Sequence, residues 1–401
     1  MRRLLGVGTL TVLLAGCWPM PGAGPDRRSH NPFERTLTAE TVGRMTEAFR
    51  VPLVDGVGPP IVTPAGLFVQ TGYSVAAYDP GRGTPRWSVP LATGEEEGYV
   101  AHIEDPFVVG GDRVLVTVAF IRQGGGYNHT LFELTTGTGT VTQYGANPLN
   151  AVRGTRLAGI DSNECCDGYR YTTLSAYDRN GGPGWGGRTF ETSDGVVTLG
   201  DELLFVATGS QVHAYDTTTP CPPFEVDDPE PTCWTEWVRP LQGPATPVVI
   251  GDDATVYVGS ANELLALNTV SGGIRWRVVV DSPVSQPPAL ADGFLHAAAA
   301  DGRMHAVRSE GCGASLCTPA WRTTAGPATT VQPAVAGGVV YVGSADGTLR
   351  AFDAGGCGAP VCEPLWSVNV GAPVTGGLAV YNGRLYVGTD DGLVAYGLPP
   401  A

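Results

Sequence analysis

Gly338-Val339-Val340-Tyr341-Val342-Gly343-Ser344-Ala345-Asp346-Gly347-Thr348-Leu349-Arg350-Ala351-Phe352-Asp353 decides the fold. Two apolar runs flank Asp346-Gly347, a pair that readily takes the positive backbone torsions of a tight hairpin turn. Pro333-Ala334-Val335-Ala336 precedes the hairpin as a short apolar strand, and Leu365-Trp366-Ser367-Val368-Asn369-Val370 follows it as a strand with an aromatic residue near its start. In that order the four strands make one small antiparallel sheet.

The unit recurs. Gly293 to Val307 leads to Trp321 and Thr255 to Leu267 leads to Trp276, so these tryptophans stand 45 residues apart, twice. A period of this length marks propellers and solenoids, whose units hide their apolar faces against one another. Toward the N-terminus the units are less regular: Leu203 to Asp216 with Trp237, Thr155 to Asp178 with Trp185, Val114 to Leu134 with Tyr144 in the tryptophan place, and Leu67 to Asp79 with Trp87. Arg384 to Tyr396 is the last of eight hairpins, and no outer strand follows it. Glu47-Ala48-Phe49-Arg50-Val51-Pro52-Leu53 supplies the missing strand, matching Pro85-Arg86-Trp87-Ser88-Val89-Pro90-Leu91 with Phe49 in place of tryptophan. The sequence therefore predicts an all-β chain, an eight-bladed β-propeller over residues 37–398, closed by the N-terminal strand so that no sheet edge stays open at the seam. Just ahead, Thr38 is placed to cap a short helix, with Leu37 and Val42 as its hydrophobic staple.

These residues carry a family resemblance. Ala77-Tyr78-Asp79 with Gly83 and Trp87, and Ala351-Phe352-Asp353 with Trp366, resemble the tryptophan-docking repeats of the PQQ-type β-propeller superfamily. Asn31, Glu34, Leu37, Val42 and Met45 ahead of Phe49 are similar to the segment leading into many such propellers. The resemblance spans residues 31–396 and is specific for fold; the superfamily holds quinoprotein dehydrogenases and non-catalytic propellers alike. It implies blade docking by Phe49, Trp87, Trp185, Trp237, Trp276, Trp321 and Trp366. Their spacing of one per blade agrees, because residues at one repeat position cannot all face one ligand.

Arg2 and Arg3 precede an apolar run from Leu4 to Ala15, the charge order and length of a secretory signal. The run ends in Leu14-Ala15-Gly16-Cys17, which resembles the lipobox of bacterial lipoproteins and implies acylation of Cys17 after removal of residues 1–16. Residues 17–36 then read as the lipidated cysteine and a flexible tether, because Pro19, Pro21, Pro25 and Pro32 interrupt a stretch without apolar periodicity. Fully extended, its nineteen residues after Cys17 would reach about 65 Å. Export and a membrane-held domain facing the periplasm or the cell exterior are the expectation.

The whole chain has 401 residues and a formal charge of −15, and its 24 basic residues are all arginine. That balance disfavours nucleic acid as a partner, since phosphate attraction needs a basic face. Without lysine, P-loop phosphate chemistry and Schiff-base catalysis are both excluded. The searches for other chemistry return nothing: the six histidines show no HExxH spacing, no Gly-x-Ser-x-Gly elbow occurs, and Asp301, Asp346 and Asp391 belong to hairpin turns. Gly182-Pro183-Gly184-Trp185-Gly186-Gly187 fits GxGxxG in form only, because a strand follows it where a phosphate site needs a helix. Asp227, Asp228 and Glu230 read as a solvated loop tip, without the oxygen spacing of a calcium loop.

With Cys17 taken by lipid, eight cysteines remain in an oxidising compartment, which reads as a disulfide framework. Cys312 with Cys317, Cys357 with Cys362, and Cys221 with Cys233 each lie between the third strand of a unit and its tryptophan strand. Closing a six-residue loop contributes roughly 2 kcal/mol by chain entropy. Cys165 and Cys166 form a vicinal pair in the turn between Ile160 and Tyr171. Quinoprotein alcohol dehydrogenases stack such a pair on their cofactor, but there it precedes the hairpin of its blade, so a loop clasp is the reading here.

No catalytic, cofactor-binding or metal residue is assigned. The function expected is a non-catalytic, membrane-anchored binding or scaffold protein, a monomeric propeller whose partner is an envelope protein or a cell-surface ligand, with the longer loops Ile121 to Thr130, Asp161 to Arg170 and Cys221 to Cys233 as contact regions. The role of the propeller lipoprotein of outer-membrane β-barrel assembly is similar. The alternative is a dehydrogenase of alcohols or aldoses that uses PQQ and calcium.

Overall fold

Each of the eight hairpins forms the middle two strands of its own sheet, and the sheets are arranged as the eight blades of a propeller. The computed structural model describes residues 18, 20–92, 95–96, 99–103, 107–109, 112–122, 127–145, 149, 151–153, 156–164, 170–178, 185–189, 195–219, 235–252 and 254–400. In blade 7, Ala334–Ala336 lies innermost, Val339–Gly343 and Thr348–Asp353 make the hairpin, and Trp366–Asn369 is the outer strand. The hairpin register sets Val340 opposite Phe352 and Val342 opposite Arg350. Period-two alternation thus gives both faces of a middle strand to neighbouring blades, which is why Val339–Gly343 is buried throughout.

Blade 8 closes the ring with a strand from the other end of the chain. Val374–Tyr381, Arg384–Thr389 and Gly392–Gly397 are its inner three strands, and Thr46–Pro52 adds antiparallel to the third, with Pro52 opposite Gly392. The outer edge of blade 8 is thereby paired, as the matching of Phe49 to Trp87 predicts. Val42–Arg44 ahead of it is a single 3-10 turn. Leu37 and Val42 are fully buried there, but Thr38 does not cap it: its hydroxyl donates to Glu40 and its carbonyl accepts from the Val42 amide.

The disulfide loops do more than close on themselves. Cys312 is bonded to Cys317 and Cys357 to Cys362. Leu316–Cys317 pairs parallel with the outer strand of blade 5, Ile274–Val279, and Val361–Cys362 does the same to Trp321–Thr323 of blade 6. Each loop of one blade therefore becomes a fifth strand of the blade before it, covering an edge that would otherwise face solvent. Cys17, Cys165, Cys166, Cys221 and Cys233 lie outside the described residues, as do residues 1–16, Asp227, Asp228, Glu230 and Gly182 to Gly184.

The segment after Cys17 departs from the expectation of a flexible tether. Trp18 and Met20 are buried, Ser29, Asn31 and Glu34 are buried among polar partners, and His30–Asn31 pairs parallel with the innermost strand of blade 7. The physical reason lies in the fold: the innermost strand of each blade presents an unpaired backbone edge to the central channel, and backbone groups of this turn-rich segment satisfy several of those edges.

Candidate functional site

In every blade the turn from first to second strand and the loop from third to outer strand share one face. The turn from second to third strand and the link to the next blade share the other. Trp18 and residues 20–31 lie across the channel mouth on the first of these faces and are called the strap below.

The strap meets the blades in chain order. At blade 1 the Trp18 amide donates to the Val62 carbonyl at 2.7 Å and the Val62 amide returns a bond to Trp18 at 2.8 Å. Met20 joins the cluster of Leu115, Leu131, Leu149, Val152 and Leu157 between blades 2 and 3. The Asp26 carboxylate pairs with Arg153 of blade 3, and Arg27 donates to the Val197 carbonyl of blade 4 at 3.3 Å. The amides of Ile250 in blade 5 and Leu290 in blade 6 donate to the carbonyls of Asp26 and Arg28. Val335 of blade 7 donates to Ser29, and Asn31 reaches the Val380 carbonyl of blade 8 at 2.9 Å. All eight blades are thus tied to one short segment.

Charges fasten the strap further. Arg153 bridges Asp26 and Asp201. Burial works against the Arg153 cation, yet the two carboxylates hold it above its ordinary range, and the same contact holds Asp201 below the usual carboxylate range. Arg28 donates to the Ile250 carbonyl at 2.9 Å and to Asp252 at 2.8 Å. Glu34, buried where the strap leaves the mouth, accepts from the amides of Arg35, Thr36 and Leu37 through one oxygen and from Gly383 of blade 8 through the other. This carboxylate caps backbone donors.

Beside the strap, a groove of about 760 Å³ runs between blades 5 and 6, lined among others by Asp252, Tyr257, Arg275, Trp276 and Glu310. Tyr257 donates to the Ser309 carbonyl, and burial raises its phenol above the ordinary value. The walls offer polar and charged groups of both signs, suited to a polar chain segment.

The aromatic residues of the repeat sit between blades. A Cβ added at Gly83 would fall 2.4 Å from the ring of Phe49, at Gly139 2.8 Å from Trp87, at Gly272 2.5 Å from Trp237, at Gly311 2.4 Å from Trp276 and at Gly356 2.7 Å from Trp321. In each pair the glycine belongs to the next blade around the ring. Trp87 and Trp237 also donate their ring N–H to the carbonyls of Thr136 and Thr269, and Trp366 meets Tyr396 edge-on at 5.2 Å. The backbone of Trp185 lies in the outer strand of blade 3, and its side chain is outside the description.

Sequence reasoning missed three imidazoles that the fold shifts. His296 is fully buried with neither ring nitrogen hydrogen-bonded among the described residues, and burial, with His30 nearby, lowers it to about 3. His30 of the strap and His305 are lowered too, chiefly by burial. The three do not form a metal centre: among the described residues no three His, Cys, Asp or Glu side chains converge. No described helix is long and apolar enough to cross a membrane.

Comparison with known proteins agrees with this geometry. The family model described as PQQ_2, outer membrane protein assembly factor BamB, matches residues 226–355. No curated protein matches the chain. Among solved structures, the quinohemoprotein alcohol dehydrogenase ADHIIG from Pseudomonas putida HK5 superposes with a TM-score of 0.68 at 13% identity, over 96% of this chain and 80% of that one. BamB from Moraxella catarrhalis gives 0.57 at 16% identity, over 88% of this chain and 100% of that one. The computationally designed Ika8 protein gives 0.61 at 14% identity, over 88% and 99%. At such identities an enzyme, an assembly factor and a design share the fold and nothing further. The recurrent hairpins, the aromatic residue set beneath a glycine of the next blade and the family model matched over residues 226–355 together support a PQQ-like β-propeller.

Proposed function

We propose that the protein is an exported propeller, held to a membrane by lipid on Cys17, that acts as a non-catalytic binding scaffold for another protein of the cell envelope. The observation that carries this reading is the strap: the chain's own backbone occupies one channel mouth, so the surface left for a partner is the loops of the opposite face. The match to the BamB description supports an envelope role. The second-to-third turns on the face away from the strap, with exposed Tyr73 and Ser210, are the contact region.

The test places a photo-crosslinking amino acid at Tyr73 or Ser210 in cells and isolates adducts from the envelope. One discrete adduct at these positions, absent when the crosslinker stands at exposed Glu363 on the strap side, is the expected result. Titration of PQQ with calcium into the protein, with dye-linked oxidation of alcohols and aldoses, tests the dehydrogenase alternative; saturable binding with turnover would overturn the scaffold reading.

A further inference from the structure

We infer that the strap fixes how the anchored propeller stands on its membrane: the face it covers is held toward the lipid surface, and the opposite face is turned outward. The inference rests on the reading that Cys17 carries the lipid. It replaces a loose tether, which would allow every orientation, with a single one.

The distances carry it. Cys17 adjoins Trp18, and consecutive Cα atoms stand about 3.8 Å apart. Trp18 has no slack, being 2% exposed and hydrogen-bonded in both directions to Val62. Val62 lies one residue before the end of Ile61–Thr63, which turns into the second strand on the strap face. Strands such as Thr255–Ser260, six residues long, set the two faces about 20 Å apart, several times the span of the single residue between lipid and Trp18. Acyl chains on Cys17 therefore enter the bilayer from the strap face, with blade 1 nearest.

The strap is also built to stay. Its backbone bonds reach innermost strands on both sides of the mouth, and Arg153 ties Asp26 to Asp201. Ala23, Arg27 and Ser29 all hold positive φ, at 66°, 54° and 53°. Non-glycine residues keep that conformation only where their surroundings over-determine it. An extended linker would relax all three.

The experiment uses the full chain, expressed with its signal and reconstituted into vesicles of zwitterionic phospholipid containing a headgroup-labelled energy acceptor. A fluorescent non-natural residue is placed in turn at exposed Glu202 or Glu310 on the strap side and at Tyr73 or Ser210 on the other. Quenching by the acceptor should be several-fold stronger at Glu202 and Glu310. A Gly/Ser linker of about twenty residues between Cys17 and Trp18, with a root-mean-square reach of about 25 Å, should abolish that difference while leaving attachment intact. Mass measurement of the mature N-terminus reads acylation separately. Acylated protein quenched equally on both faces would overturn the orientation alone, whereas an unacylated N-terminus would overturn the anchoring and the orientation together.

Discussion

The ring of Phe49 lies beneath Gly83, so close that a methyl group there would sit 2.4 Å from it. Phe49 belongs to the strand that enters blade 8 from the N-terminus and Gly83 to blade 1, so this one contact spans the seam of the ring. Gly83 also holds φ at 68°. Gly83→Ala combines overpacking with a strained backbone and should cost about 3 kcal/mol. The urea midpoint reads this, and an unchanged midpoint would mean that the seam is loose in solution. Gly137, which has open space around it, is the control position.

Acid should destabilise the fold through its buried imidazoles. Unfolded histidine titrates near 6.5, while burial lowers His296 to about 3 and also lowers His30 and His305. The unfolded chain thus binds protons that the folded chain refuses. This stability is fully present above pH 6.5 and is lost as pH falls toward 3. Each such group contributes a slope of about 1.4 kcal/mol per pH unit inside its window. Asp292 and Arg28 act on His30 in opposite senses, as do Asp301 and Asp281 against Arg322 and Arg303 on His305. His296→Phe, packed beside Phe294 and Trp321, should remove about one proton from the slope of unfolding free energy between pH 6 and about 4. An unaltered slope would show that His296 is hydrated.

Glu34 is a second test of the segment ahead of the ring. Glu34→Ala leaves four backbone amides, those of Arg35, Thr36, Leu37 and Gly383, without their acceptor and should cost about 3 kcal/mol. Glu34→Gln keeps one acceptor oxygen and turns an amide group against the other donor, so an intermediate loss is expected. Hydrogen exchange at Leu37 and Gly383 separates the two oxygens.

Replacing Cys357 and Cys362 together by serine should lower stability by about 2 kcal/mol, the chain-entropy value for a short loop. The more telling change lies in blade 6, because Val361 and Cys362 pair with Arg322 and Thr323. Faster amide exchange along Trp321–Thr323 is expected. Exchange altered only inside the loop would mean that the fifth strand holds without its disulfide.

The ring was legible because its determinants repeat. Asp346-Gly347 fixes a turn, Val340 and Phe352 alternate with it, and Trp321 and Trp366 mark the outer strands at the same spacing, so local chemistry and global fold agree. The strap was not legible, for physical reasons. Most of its bonds join backbone groups to the edges of innermost strands, which any residue can make, and three of its four left-handed residues are Ala23, Arg27 and Ser29 rather than glycine. Proline content suggested a linker, yet Pro21, Pro25 and Pro32 stand in turns, which a channel wall can hold as readily as a tether leaves them free. The fifth strands escaped notice similarly: the cysteine spacing shows a closed loop, and two residues such as Leu316 and Cys317 are too short a run to read as a strand. His296 carries no periodic signal, since an imidazole in an apolar strand reads as one more core residue.

The seam has a temporal side. Chains are made from the N-terminus, and Pro52 meets its partner Gly392 only when almost the entire chain has emerged. At ordinary synthesis rates the strand Thr46–Pro52 waits for tens of seconds with its edge unsatisfied, a period in which strand edges invite aggregation. A newborn copy therefore depends on whatever shields that edge in the interval, and slowing the last stretch of synthesis would harm its yield more than slowing the first.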